Sequence, residues 1–418
     1  MNNKDYVYLA LGSNLGDKKQ NFFTAIDKLK ENGVLIIDMS ALYTTPALLL
    51  SGSPSEWNIP YLNACLKVTT DKSPEELLLI CKKIEKEMGR DFSQKWSPRI
   101  IDIDILHYKG QNVNLDNLTI PHKDFYNRAF WQDGLSFLFP EIVKQKYSNE
   151  HLALIMGIIN ITPDSFSDGG KYNNINNFIK VFNEWIQHNV NIIDIGAEST
   201  KPNARTIEYT DELERLKDVF FYLQNIKKDY FFPKLSIDTY HPETALKAIK
   251  NGFDIVNDVS GLENDKMLEL AQTYKNINFV FMHNLGIPSD KSIFVDEKLN
   301  IFSEIEKWLE NKLNIFEKKN IKKEQLIFDL GIGFGKTKTQ DLQLLGNIEY
   351  FHKYGIKIMI GHSRKSFMKV FSNEEQRDIE TLAISTAIQH KVDILRVHTP
   401  IEHQRAILSY QHLNKQFI

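Results

Sequence analysis

Over the first 140 residues, apolar positions alternate with polar ones or recur every three to four places. The segments read as a strand over 6–11, a helix over 18–31, strands over 34–43 and 62–70, a helix over 74–88 and a strand over 100–108. Ser73 as N-cap, Pro74 at the first helical position and Glu76 completing a capping box fix the start of the second helix. The order β-α-β-β-α-β predicts an antiparallel sheet covered on one face by two helices, a ferredoxin-like α+β domain. A polar and aromatic segment, 118–140, follows it, and apolar periodicity then lapses over 141–151. Beyond it, eight apolar runs recur with amphipathic stretches between them, at 153–161, 192–195, 235–237, 255–256, 279–282, 326–328, 356–360 and 394–397. Eight β-α units in about 265 residues predict a (β/α)8 TIM barrel. The chain therefore divides into 1–140, a linker 141–151 and a barrel 152–418, an α/β two-domain protein.

Composition narrows the function classes. Of 418 residues, 42% are hydrophobic and 25% charged, an ordinary globular balance. The net charge of −3, from 51 basic and 54 acidic residues, provides no global basic field for nucleic acid. The two cysteines, Cys65 and Cys81, sit among apolar neighbours and read as reduced core thiols. The apolar run at the start is too short for a secretory signal, and no stretch approaches the roughly 18 apolar residues of a membrane span. The expectation is a cytoplasmic protein whose partners are small molecules, with neither nucleic acid nor membrane among them.

In the first domain the densest constellation is Trp96-Ser-Pro98-Arg99-Ile-Ile-Asp102-Ile-Asp104. Strand alternation places Ile101, Ile103 and Ile105 on one face and Asp102 and Asp104 on the other, about 6.6 Å apart. At an effective dielectric near 20 their repulsion is about 2–3 kcal/mol, which Arg99 or a divalent cation would offset. An all-oxygen set suits Mg2+ shared with substrate phosphates. D-x-D alone also describes a solvated strand face, but Arg90, Lys95, Arg99, the turn Gly12-Ser13-Asn14 and His122 surround it here. Cations beside a carboxylate pair are what phosphoryl transfer requires.

Several motifs in order carry a resemblance to 6-hydroxymethyl-7,8-dihydropterin pyrophosphokinases over residues 5–140. They are Gly12-Ser13-Asn14, Tyr43-x-Thr45-Pro46, Tyr61-Leu62-Asn63, Glu85-(x)4-Arg90, the Trp96 to Asp104 segment, Pro121-His122 and Asn127-Arg128-x-Phe130. The resemblance implies that Asp102 and Asp104 hold two Mg2+ ions bridging the substrate ATP. It assigns Glu85, Arg90, Arg99, Ile105, Thr119 and His122 to the nucleotide, and Thr45, Pro46, Tyr61, Asn63, Trp96 and Phe130 to the pterin. Two departures are a short 91–95 loop without a second arginine, and Lys123 where the family has tyrosine.

In the barrel, polar residues recur where runs end: Asn160, Asp194 with Glu198, Asp238, Asn257, His283, Asp329, Ser363, Arg396 and His398. C-terminal strand ends carry the chemistry of such barrels, so the recurrence predicts a binding site. Asp194 alone reads as an ordinary cap or loop residue. Gly331-Ile-Gly333-Phe-Gly335-Lys336-Thr337 imitates a phosphate-binding P-loop but has Leu330 where that loop needs glycine. Its glycines read instead as letting backbone approach a flat ligand. Asp238, Asn257 and Asp329 suit a heterocycle edge, and Lys365, Arg396 and His398 read as cations for an anionic group.

The segments Met156-Gly157-Ile-Ile-Asn160-Ile-Thr162-Pro163-Asp164-Ser165-Phe166 and Gly361-His-Ser363-Arg364-Lys365-Ser366 resemble dihydropteroate synthases over 152–412. The resemblance implies that Asp238, Asn257, Asp329 and Lys365 hold the pterin, with Met282 and Phe334 packing near it. Asn160, Arg396 and His398 would bind pyrophosphate, with one Mg2+ at Asn160. Phe166, Thr200 and Ser363 would border the p-aminobenzoate pocket, the site sulfonamides target. Asp168 is a candidate to face the reacting carbon. Lys201 replaces the family's arginine, and the usual hairpin before the first strand is reduced to 150–152. The implied protein is bifunctional, the first half making the pterin pyrophosphate that the second condenses with p-aminobenzoate, and its barrel is expected to support a homodimer. Two alternatives stay open at this point: a pterin-dependent methyltransferase barrel, or a degenerate binding module fused to an active pyrophosphokinase.

Overall fold

A computed structural model describes residues 5–49, 51–93, 96–143, 147, 151–161, 171–198, 206–287, 292–371 and 377–415. It divides into two compact units, Met1–Leu152 with Lys228–Phe232 and Leu408–Ile418, and Ala153–Lys227 with Pro233–Ile407.

The first unit runs β1 (Val7–Ser13), α1 (Lys18–Glu31), β2 (Leu35–Met39), β3 (Tyr43–Thr45), β4 (Tyr61–Thr69), α2 (Pro74–Glu87), β5 (Asp102–Tyr108), β6 (Val113–Leu115), β7 (Leu118–Ile120) and α3 (Ala129–Leu135). Asp17 caps α1 by accepting from the Gln20 N–H at 3.0 Å, and the Ser73/Glu76 capping box starts α2. The antiparallel sheet has the order β2-β4-β1-β5, the ferredoxin-like topology. Phe22, Ile26 and Leu29 of α1 and Leu77, Cys81 and Ile84 of α2 bury one face of this sheet, against Leu9, Leu66, Ile103 and Ile105. The other face is covered as well: Tyr8, Ala10, Cys65 and Leu106 meet Phe125, Trp131, Leu135 and Phe139 from the segment that follows β7.

The strand expected over 34–43 is two strands, both paired with β4. The reason is local. The Ser40 hydroxyl accepts from the Cys65 N–H at 2.8 Å, so a side chain stands in for the ladder between β2 and β3. A register shift between Ile36 and Asp38 also bulges β2.

The second unit alternates strand and helix: β8 (Leu154–Asn160), α4 (Lys171–Gln187), β9 (Ile192–Gly196), α5 (Tyr209–Asn225), β10 (Lys234–Asp238), α6 (Pro242–Lys250), β11 (Ile255–Asp258), α7 (Asp265–Thr273), β12 (Asn278–Met282), α8 (Ile301–Lys318), β13 (Leu326–Asp329), α9 (Lys338–Gly346), β14 (Lys357–Ile360), α10 (Asp378–Ile388), β15 (Ile394–Val397) and α11 (Pro400–Lys415). The eight strands are parallel and close into a barrel, β15 pairing with β8. Continuous apolar runs produce this arrangement because a parallel strand is buried on both faces. Among the described residues no helix is long and apolar enough to cross a membrane.

Gly157 of β8 shows how closely the outer layer is fitted. A Cβ there would lie 2.4 Å from Cζ3 of Trp185 on α4. Gly157→Ala is expected to destabilise the barrel by about 1–3 kcal/mol, read as a lowered denaturant midpoint at unchanged slope.

Candidate active sites

Strand β5 carries Asp102 and Asp104 on the face opposite the α1/α2 core, paired through β1 with Gly12 and Ala10. Asp102 is clamped by two guanidiniums: Arg90 Nη1 lies 2.5 Å from Oδ1 and Arg99 Nη1 3.0 Å from Oδ2. Burial pushes this carboxyl up, but Arg90 and Arg99 outweigh it and hold it below the usual carboxylate range. The cations near Asp104 are more distant, Arg128 Nη1 at 3.9 Å and Lys82 farther off, and the His122 ring stands with its Nε2 at 4.0 Å. Burial, then the charge of Asp102, push Asp104 up to about 7. The strand face thus carries negative charge that its own cations leave undercompensated at one of two carboxylates, a donor set suited to a hard divalent ion.

A cleft of about 560 Å3 opens over this pair. The structure brings Thr45, Pro46, Tyr61, Asn63, Trp96, Phe130, Arg90, Arg99, Asp102 and Asp104 together in its lining. Asn63 Nδ2 donates to Thr45 Oγ1 at 2.9 Å. His122 stands beside the cleft, edge-on to Trp131, and burial lowers its pKa. Glu85 is fully buried; its carboxylate accepts from the Ile103 N–H at 2.8 Å and from Lys82 Nζ at 2.9 Å, and pairs with Arg90 at 2.8 Å. It therefore aims Arg90 from inside the protein. The Ile105 side chain lies in the core, and Thr119 is exposed on the β6–β7 hairpin, outside the cleft lining. Lys95 lies outside the described residues.

Sequence reasoning assigned no role to Lys82 or Arg128, both of which line the cleft. The signals were present: Lys82 precedes Glu85 by three residues on α2, one turn away on the same side, and Arg128 stands inside the Asn127-Arg128-x-Phe130 motif.

In the barrel, the C-terminal strand ends converge on Arg396 of β15. Its Nε donates to Asp194 Oδ2 at 2.7 Å and its Nη2 to Asp238 Oδ2 at 2.6 Å. Asn257 Nδ2 donates to the same Asp194 oxygen at 3.1 Å. Asp194 is thus no cap: it lies within β9, fully buried, and supplies the acceptor for the Nε of Arg396 and for the Asn257 amide. Burial pushes Asp238 up to about 7 in spite of Arg396. Val259, Met282 and Phe334 form a small apolar cluster at this end, and Lys365 Nζ lies 4.1 Å from the centre of the Phe334 ring. Burial, then Arg396, lower Lys365 to about 8. Burial raises Asp329, whose Oδ1 accepts from the Gly331 N–H at 2.8 Å.

Two further expectations change. His398 is no cation: burial, then Arg364 and Arg396, push it down to about 3, and its Nδ1 meets Ser363 Oγ at 2.8 Å. It is a neutral hydrogen-bonding group. Gly331 is required by protein rather than ligand, since at φ +67° a Cβ would lie 1.9 Å from the His283 carbonyl oxygen. Arg364 forms a bidentate pair with Asp378 at 2.7 and 2.9 Å, which fixes the turn carrying Ser363 and Lys365. Asn160 ends β8. Phe166, Asp168, Thr200 and Lys201 lie outside the described residues.

With these geometries in hand, comparison with known proteins is informative. Residues 8–140 match the 7,8-dihydro-6-hydroxymethylpterin-pyrophosphokinase family, and residues 156–398 the family described as pterin binding enzyme. A folate synthesis bifunctional protein of Chlamydia caviae is 32% identical, over 97% of this chain and 98% of that protein. A dihydropteroate synthase of Anaplasma phagocytophilum, solved with bound 6-hydroxymethylpterin-monophosphate, is 34% identical with a TM-score of 0.57, over 63% of this chain and 99% of its own. The Xanthomonas albilineans enzyme, solved with 4-aminobenzoic acid, is 29% identical with a TM-score of 0.57, over 63% and 93%.

Two tests follow from the charge arrangements. In the ligand-free protein Asp104 keeps its proton up to about pH 7, whereas in the unfolded chain it ionises near 4. The folded state then binds more protons between those values, so this group removes stability as pH rises through that window. Asp104→Asn is expected to flatten the profile and raise the melting temperature at pH 8 in EDTA, while abolishing pyrophosphoryl transfer. Asp194→Ala leaves Arg396 paired with Asp238 but removes the acceptor of Arg396 Nε and Asn257 Nδ2, and is expected to cost about 1–3 kcal/mol, measured by denaturant unfolding.

Proposed function

The chain belongs to the bifunctional folate-synthesis proteins, a hydroxymethyldihydropterin pyrophosphokinase joined to a dihydropteroate synthase, and from that premise we propose which residues carry each reaction. The first reaction moves the pyrophosphoryl group of ATP to 6-hydroxymethyl-7,8-dihydropterin. The pterin hydroxyl oxygen bonds to the β-phosphorus, the bond from that phosphorus to the α-phosphate oxygen breaks, and AMP leaves. The second joins p-aminobenzoate to the pterin methylene: a C–N bond forms, the C–O bond to pyrophosphate breaks, and the amine loses a proton. Residues 1–140 would perform the first and 152–418 the second, with 141–151 as linker.

For the first reaction, the pair supporting the reading is Asp102 and Asp104 with their unequal compensation. Both would hold Mg2+, two ions in this site, which when bound supply charge neutralisation of the phosphates. Arg90 and Arg99, already aimed by Glu85 and Asp102, would exchange carboxylate for phosphate contacts. His122, Thr119 and the main chain of Ile105 would complete the nucleotide contacts. Tyr61, Trp96 and Phe130 would enclose the flat pterin, and the paired Thr45 and Asn63, beside Pro46, would meet its polar edge.

For the second, Asp238, Asn257, Asp329 and Lys365 would hold the pterin edge, against Met282 and Phe334. Arg396 and neutral His398 would take the pyrophosphate, and Ser363, Phe166 and Thr200 would border p-aminobenzoate. Asn160 offers a neutral oxygen to a single Mg2+, whose charge the substrate pyrophosphate would balance. Sulfonamides would compete at the p-aminobenzoate pocket. The two cysteines are free and buried, consistent with a reducing compartment such as the cytoplasm as the site of both reactions.

Mass spectrometry of products from purified protein with hydroxymethyl-dihydropterin, MgATP and p-aminobenzoate tests both assignments. Dihydropteroate and AMP are expected. Asp102→Ala should stop both products, and Asp238→Ala should let pyrophosphorylated pterin accumulate. Undiminished dihydropteroate from Asp238→Ala would remove that residue from the pterin site.

A further inference from the structure

The lysine that ends the false P-loop has a different use. Lys336 is buried, 5% exposed, and its ammonium meets four acceptors: the Gly331 carbonyl at 2.9 Å, the Phe334 carbonyl at 2.9 Å, His283 Nδ1 at 3.0 Å and, more distantly, the His283 carbonyl at 3.4 Å. All three N–H donors of an ammonium are therefore taken. His283 ends β12, while Gly331 and Phe334 belong to the turn after β13. One side chain therefore ties two neighbouring strand ends together. Asp341 of α9 holds the same turn from its other side, accepting from the Gly333 N–H at 2.8 Å.

The turn in question carries the pterin-facing groups. Phe334 lies under the Lys365 amine at 4.1 Å. Gly333 abuts the Lys365 stem so closely that a Cβ there would be 3.1 Å from Cδ. Asp329 begins the turn and is bonded to its Gly331 N–H. We infer that Lys336 is a positioning residue for the synthase reaction, holding the 331–335 turn so that Phe334, Gly333 and Asp329 set the pose of Lys365. This rests on the reading that Asp329 and Lys365 hold the pterin.

Lys336 stands in a cluster of charged groups, faced by His283, Asp329, Asp341 and Lys365, and Lys365 in turn by Arg396, Asp329, Asp341 and Asp238. Burial, with a smaller push from Lys365 and against the carboxylates of Asp341 and Asp329, lowers Lys336 to about 7.

The test is steady-state kinetics of the full chain with Lys336→Met, which keeps length and removes all three donors. A rise of roughly tenfold or more in the KM for pterin pyrophosphate is expected, with the p-aminobenzoate KM within about twofold. Equal changes in both KM values would overturn the inference. If circular dichroism shows Lys336→Met unfolded, His283→Ala, which removes one acceptor, should give the same split at smaller size; unchanged KM values there overturn it. A wild-type protein that forms no dihydropteroate from supplied pterin pyrophosphate would instead sink the reading of the site itself.

Discussion

A buried guanidinium needs compensation, and the working end of the barrel is organised around that requirement. Arg396 sits between Asp194 and Asp238, so three ionisable groups on three strands form one hydrogen-bonded unit at the barrel axis. Removing Arg396 would leave two carboxylates uncompensated in low dielectric. The unit also explains why Asn257 points where it does, its amide bonded to the oxygen of Asp194 that also receives Arg396. The pyrophosphokinase unit solves the same problem differently. There Glu85 and Asp102 hold Arg90 in a chain of alternating charge at the edge of an open cleft, and the surplus appears at Asp104.

Both arrangements keep cations poised in the ligand-free protein by pairing them with carboxylates. Binding an anionic substrate would then be an exchange of partners with little reorganisation of the scaffold, which is how preorganised electrostatics lower a barrier. The neutral state of His398 fits this economy: beside Arg396, an imidazole bonded to Ser363 would meet the pyrophosphate without a second charge to desolvate.

Much of this was legible in the sequence, and the failures are instructive. The eight parallel strands and the ferredoxin-like order follow from apolar periodicity, and the common face of Asp102 and Asp104 follows from strand alternation. Asp194 was misread because a polar residue near the end of an apolar run looks the same whether it caps a helix or points down the barrel axis; only the closed barrel brings Arg396, about 200 residues away, to its side. The charge state of His398 depends on burial and on Arg364 and Arg396, none of which a local motif contains. Gly331 was read as serving a ligand because the His283 carbonyl that it makes room for comes from the adjacent strand. The split between β2 and β3 hinges on one hydroxyl, Ser40, bonded to a residue 25 positions on.

The bulge in β2 has a consequence beyond the sites. This strand lies at the end of its sheet, with Leu35 and Ile37 57% and 50% exposed. A flat apolar border of that kind is a template on which a second chain can add a strand. The shift between Ile36 and Asp38 breaks the regular spacing of the outward-facing N–H and C=O groups, and Asp38 sets a charge beside them. Protection of this border against strand addition therefore resides in a local irregularity and one charge.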